Sequence, residues 1–316
     1  MNSRNRHMQY RRSVYRRRQI RLGLILSVVI AAVLLLAFLI VGNLLFGRAT
    51  PEEPTPTPNA PNNTPDEREP VPAVKARTVF LETSDSSTFS SRIRALINDG
   101  ATAASIPLTA SNGALLYRSS VGEQIGYPTS GAPTVRISSA VAQVEEQQIH
   151  LSGVFYLTAF SKSDPLLRSV ELSRSVSVIA EAILSGVDDI LLIAPDCAAE
   201  QVDEVLRLAE DIRVLAPNAT VGFALPSSVL TDEKAAELID RLWNGLDFLA
   251  LNASEYGSES PVEYAKQMVE DPNMQFNRLR YHMRVLLPSC GDDSATRDSV
   301  ISAMEADGVD NWQIVS

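Results

Sequence analysis

The chain has 316 residues, 45% of them hydrophobic and 21% charged, with 38 acidic against 28 basic residues and a formal net charge of −10. Every acid lies after position 50, where only 19 basic residues stand against them, so that region excludes polyanion binding through bulk charge. The three histidines (His7, His150, His282) are scattered and the two cysteines form no Cys/His cluster of zinc spacing, so no metal and no cofactor is expected.

Residues 1–21 carry eight arginines and no acid, and residues 22–46 follow with 25 uncharged positions, mostly Leu, Val, Ile and Ala. About 20 such residues cross the hydrocarbon core as a helix. The run is too long for a secretory signal, and Gly47-Arg48 after it is not a small-residue cleavage site. The arginines place the N-terminus in the cytoplasm and everything after the helix outside. A partner implied at this stage is thus the membrane, by a single pass; nucleic acid is not. Residues 47–75 read as a disordered stalk, because eight prolines between Ala49 and Ala73 keep the backbone extended and leave too little apolar surface to fold.

The remaining 241 residues, 76–316, suit one (β/α)8 barrel of TIM type. A helix ending at glycine before a short apolar run recurs at Gly100, Gly186, Gly245 and Gly308. Glycine accepts the left-handed conformation of a helix cap, and short apolar runs suit strands buried on both faces, so the repeat predicts βα units and a parallel sheet. Strands are predicted over 77–82, 102–107, 150–160, 189–194, 220–225, 248–252, 284–288 and 312–315. Between them Phe89, Ile93 and Leu96, then Val176, Ile179 and Ile183, then Val205, Leu208 and Ile212, then Ala235, Leu238 and Leu242 make helical apolar faces. No helix is expected after the eighth strand. The alternative is an open doubly wound sheet of six or seven strands. The long connection 109–148 is expected to form a hairpin over the barrel mouth. Cys197 and Cys290 each follow a predicted strand in an exported region, which permits a disulfide if their Cα atoms come within about 7 Å.

In such a barrel the chemistry lies at the C-terminal ends of the strands. Arg77-Thr78-Val79-Phe80-Leu81-Glu82-Thr83-Ser84, Ser111-Asn112-Gly113-Ala114-Leu115-Leu116-Tyr117, Phe155-Tyr156-Leu157-Thr158-Ala159-Phe160 with Asp164-Pro165-Leu166-Leu167, and Gly186-Val187-Asp188-Asp189-Ile190 together resemble the glycoside-hydrolase-like (β/α)8 domains of bacterial envelope proteins. The resemblance runs over most of the exported domain and implies a sugar-directed barrel behind a membrane anchor. It also implies acids at the end of the fourth strand and Asp and Lys at the second. Here the fourth strand runs Ile190-Leu191-Leu192-Ile193-Ala194-Pro195 and the second offers Pro107 and Thr109.

Glycosidic cleavage needs two carboxyl groups, or one assisted by the substrate. Glu82, Asp164, Asp196 and Glu255 fall at predicted strand ends and are the candidate catalytic residues, Glu82 foremost because Glu is a poor helix cap. The competing reading is that short acids at these positions cap helices, as expected for Asp85, Asp196 and Asp292. Lys162 and Asn252 are candidate ligand contacts, as are the rim tyrosines Tyr117, Tyr127 and Tyr256, whose rings could stack on sugars; Trp243 is expected in the core. The expected function is a glycosidase-like barrel that does not cleave but binds glycan or an envelope protein. A divergent hydrolase and a purely structural envelope protein are the other readings.

Overall fold

The computed structural model describes residues 71–81, 86–144, 147–252, 283–288 and 310–315, with 298–299, 301–302 and 305–306. Eight parallel strands close into a barrel in sequence order: β1 (Lys75–Thr78), β2 (Ala103–Pro107), β3 (His150–Tyr156), β4 (Asp189–Ile193), β5 (Thr220–Leu225), β6 (Phe248–Asn252), β7 (Met283–Pro288) and β8 (Trp312–Val315). The open-sheet alternative is therefore wrong, since β8 pairs with β1 through Lys75↔Trp312 and Ala76↔Gln313. Among the described residues the helices are α1 (Ser86–Asn98), α2 (Ser120–Ile125), α3 (Ile137–Val144), α4 (Pro165–Leu184), α5 (Val202–Leu215), α6 (Ser227–Leu230) and α7 (Ala235–Gly245). No described helix is long and apolar enough to cross a membrane. The predicted span 22–46 lies outside the described residues.

Strand boundaries differ most from expectation in the first strand, which also ends at Thr78 rather than at 82, and in the third. The first strand starts at Lys75, inside the predicted stalk, because Val74 is buried against Ala76 and Ala103 and donates its N–H to the Asn311 side chain. The third strand stops at Tyr156, where the chain turns into a 3₁₀ segment, Ala159–Ser161.

Of the glycine junctions, Gly100 and Gly186 take positive φ (81° and 104°), the left-handed geometry that closes α1 and α4. Gly245 does not; it is the last residue of α7, and a Cβ there would lie 2.5 Å from a Leu206 methyl, so close helix packing selects it. Gly308 lies outside the described residues.

The connection 109–148 is helical rather than a hairpin over the mouth. Thr109 bridges Leu115 in a tight turn, and α2 and α3 follow. Glu181 of α4 anchors that excursion by accepting from the Ser120 N–H at 2.9 Å and from the Ser119 hydroxyl. Burial opposes ionisation of Glu181, yet these donors hold its carboxyl below the ordinary range.

Apolar residues form two layers. The outer one joins strands to helices through residues such as Ile93, Ile106, Phe155, Ile179, Leu192, Val205 and Leu242. The inner one fills the barrel with Val154, Leu191, Ile193, Ala224, Phe248, Ala250, Leu286 and Val315. Strand alternation separates the two sets.

Candidate functional site

The strand register identifies which side chains turn inward. Thr78, Ser105 and Ser152 share a row with Asp189; Ala250 pairs with Arg284; Leu286 pairs with Gln313. In the half of the barrel nearer the strand N-termini, this places polar groups where branched apolar residues usually stack. Arg284 donates to Asp189 Oδ2 at 2.8 Å, to Gln313 Oε1 at 2.8 Å and to Ser152 Oγ at 3.0 Å. The Gln313 amide then donates to Ser105 Oγ at 2.9 Å, and His150 Nε2 lies 2.7 Å from Asp189 Oδ2. Arg284, Asp189, Ser105, Ser152 and Gln313 are all fully buried. The Arg284 guanidinium carbon also sits 4.1 Å from the centroid of the Phe248 ring, close enough for a cation–π contact. Burial would raise the Asp189 pKa, but the charge of Arg284 and the His150 hydrogen bond hold it well below the usual carboxylate range.

This network lies at the wrong end for barrel chemistry, because catalytic groups of such folds stand at the C-terminal face. There the last inward residues of β2 to β5 and of β8 are Pro107, Tyr156, Ile193, Ala224 and Val315. Pro107, Ile193, Ala224 and Val315 are buried, and Tyr156 is partly exposed. Tyr156 donates its backbone N–H to Thr109 Oγ1 at 2.7 Å, and its ring packs on the inner apolar layer.

The predicted site residues are dispersed. Asp164 is the N-cap of α4, its Oδ1 accepting from the Leu166 N–H at 2.9 Å ahead of Pro165 at the first helical position. Asp164→Ala should therefore cost about 1 kcal/mol of stability, the usual worth of a cap, as a lowered urea midpoint. Lys162 points along α4 to Glu171 at 3.8 Å, an exposed pair of little energetic weight. Asp196 is exposed, and the helical segment after it starts at Ala199 with Ala198 as N-cap, so Asp196 does not cap it.

Two of the rim tyrosines are packing residues. Tyr117 is buried and donates its hydroxyl to the Val178 carbonyl of α4 at 3.1 Å; Tyr127 meets Ser175 through its hydroxyl and Phe155 edge-on, with centroids 6.3 Å apart. Trp243 is in the core as expected. Cys197 is buried and a free thiol among the described residues, and Cys290, its candidate partner, lies outside them; burial, with Glu204 and Glu200 nearby, pushes the Cys197 pKa up to about 12. Such a thiol is inert at neutral pH. Glu82, Asp85, Glu255, Tyr256, Cys290 and Asp292 lie outside the described residues, and of Asn252 only the backbone, at the end of β6, is described.

Sequence reasoning missed both the buried polar network and the inward position of Tyr156. The available signal was parity: Ser105, Ser152, Arg284 and Gln313 interrupt apolar strands, and Tyr156 falls four residues after Ser152.

No protein-family model and no curated protein sequence matches the chain. Its fold is similar to that of the spore cortex-lytic enzyme SleL of Bacillus cereus, at 13% identity and a TM-score of 0.44, covering 77% of this chain and 70% of that one. An alpha-L-fucosidase of Bacteroides thetaiotaomicron gives 11% and 0.47, over 73% of this chain and 54% of the fucosidase. The 3-keto-D-glucoside 4-epimerase of E. coli gives 11% and 0.42, over 77% and 91%.

Proposed function

We propose that this chain is a membrane-anchored, extracytoplasmic glycosidase-like barrel that binds glycan or an envelope protein without cleaving it. The observation that carries the reading is the character of the described mouth. Where barrel hydrolases need two carboxyl groups a few ångströms apart, the inward positions ending β2 to β5 hold Pro107, Tyr156, Ile193 and Ala224. The one described acid at the end of the β3 loop, Asp164, is engaged with its own helix. The interior charge belongs to the opposite end and is tied up in Arg284 and Asp189. A binding role asks less of the mouth than catalysis does: shape, an aromatic face and hydrogen-bonding loops suffice.

The anchor in this reading rests on residues 22–46 and the arginines before them. The purified full chain, incubated with cell-wall and storage glycans, should release no new reducing ends above a heat-denatured control. Reproducible release that Glu82→Gln abolishes would overturn the non-catalytic reading and assign a hydrolase in its place.

A further inference from the structure

We propose that His150 is an acid-operated clasp at the N-terminal end of the barrel, one that gains a grip on Asp188 when its imidazole takes up a proton. The inference goes beyond the glycan-binding reading above and does not depend on it. His150 opens β3, and the chain entering β4 brings Asp188 and Asp189 to it from the neighbouring strand. Its Nε2 lies 2.7 Å from Asp189 Oδ2, and its Nδ1 lies 3.9 Å from Asp188 Oδ2.

Asp189 is fully buried and paired with Arg284, so its carboxylate is ionised and only accepts hydrogen bonds. Nε2 must therefore carry a hydrogen and donate it. In the neutral imidazole this leaves Nδ1 as a bare acceptor, facing a second acceptor on Asp188. Protonation places a hydrogen on Nδ1, turns that opposition into an ion pair and strengthens the bond to Asp189. Asp188 is already held in position, because its Oδ2 accepts the Leu151 N–H at 2.7 Å. Charge balance works in the same direction. With a neutral imidazole, Asp188, Asp189 and Arg284 together carry one uncompensated negative charge; with an imidazolium the cluster is balanced. Of the other strands around this end, β2 meets His150 through the Thr102 carbonyl, β8 offers Gln313 to Ser152, and Lys75 of β1 is engaged with Glu305 at 2.8 Å. The His150 side chain is 26% exposed, so protons reach it from solvent although Asp189 beneath it is sealed.

The consequence is a barrel whose N-terminal end tightens as its surroundings acidify. A proton held more firmly by the folded than by the unfolded chain stabilises the fold as pH falls, and histidine is the side chain that changes charge between about pH 8 and pH 5.

The test is urea unfolding of the full chain in a nonionic detergent, followed by far-UV circular dichroism at about pH 8 and about pH 5.5. In wild type the unfolding equilibrium constant at fixed urea should fall roughly threefold or more between the two. His150→Gln, whose amide keeps a donor for Asp189 without titrating in this range, should remove that fall. Asp188→Asn, which keeps an oxygen for the Leu151 N–H and loses only the charge, should reduce it by about half or more. Wild type that shows no fall, or His150→Gln that shows the same fall as wild type, would overturn the clasp. If His150→Gln does not fold, the half-exposed Asp188 position carries the test, and an undiminished fall in Asp188→Asn would overturn the proposal.

Discussion

Arg284→Ala is expected to lower the stability of the barrel by about 3–5 kcal/mol, measured as the shift in urea unfolding followed by far-UV circular dichroism. The side chain is fully buried and serves Asp189, Ser152 and Gln313 together. Its removal leaves the Asp189 carboxylate inside the barrel with only Ser152 and His150 as partners. An uncompensated buried charge is the costly result; loss of the pair itself is cheaper. The double variant Asp189→Leu with Arg284→Met should therefore recover most of the loss, despite having two substitutions. A double variant no more stable than Arg284→Ala would show that the pair contributes net attraction beyond mutual compensation.

The same pair predicts an acid response. Asp189 has a folded pKa below its unfolded value, so it stabilises the fold fully above the unfolded value of about 3.9 and loses that contribution as pH falls below it. In an Asp189→Asn variant, stability below about pH 4 should decline less steeply than in wild type. Parallel acid arms in the two proteins would contradict the assignment.

Phe248→Ala should cost about 3–5 kcal/mol, the range for losing a large buried aromatic from a core. Its ring fills the barrel interior between the Arg284 guanidinium and the bare backbone of Gly222. A Cβ on Gly222 would meet ring atoms at 2.2–2.4 Å, so the two positions form one volume shared unequally between neighbouring strands. Gly222→Ala alone should destabilise by about 1–3 kcal/mol through overpacking. In the Phe248→Ala background that substitution should be neutral or stabilising, because the methyl enters space the ring has left. Additive losses in the double variant would show that the two residues do not share a volume.

Much of the barrel was legible in the chain. Buried parallel strands are short continuous apolar runs, and segments such as Ile190–Ile193 and Phe248–Leu251 carry that mark. Helices α4, α5 and α7 announce themselves through apolar residues at i, i+3 and i+4, and Gly100 and Gly186 through the left-handed caps they occupy. Boundaries were less legible where tertiary contacts set them. Lys75 joins β1 because β8 and β2 lie beside it, and residues beyond Tyr156 leave β3 because the chain must turn into the 3₁₀ segment before α4.

The site was legible only as a set of positions. That acids and tyrosines follow the strands is a fact of order along the chain; which of them face one another is not. Asp164 and Asp196 look alike in sequence, yet one caps a helix and the other is exposed, because the first is followed at once by Pro165 and a helix and the second by a further turn. Tyr117 and Tyr127 are loop residues by pattern, but α4 passes beneath them and takes up their hydroxyls.

The sequence by itself determined the alternation of strand and helix, and with it the parallel sheet, because both periodicities are local properties of side chains on a backbone. It also determined the acidic character of residues after position 50 and the apolar end of the fourth strand. Only the tertiary structure decided that Ser105, Ser152, Asp189, Arg284 and Gln313, drawn from five strands, make one buried network at the N-terminal end, and that Tyr156 is the aromatic turned into the mouth. Closure is the physical reason. Once β8 pairs with β1, inward residues more than 100 positions apart share one enclosed volume, and their chemistry depends on neighbours that no local pattern encodes.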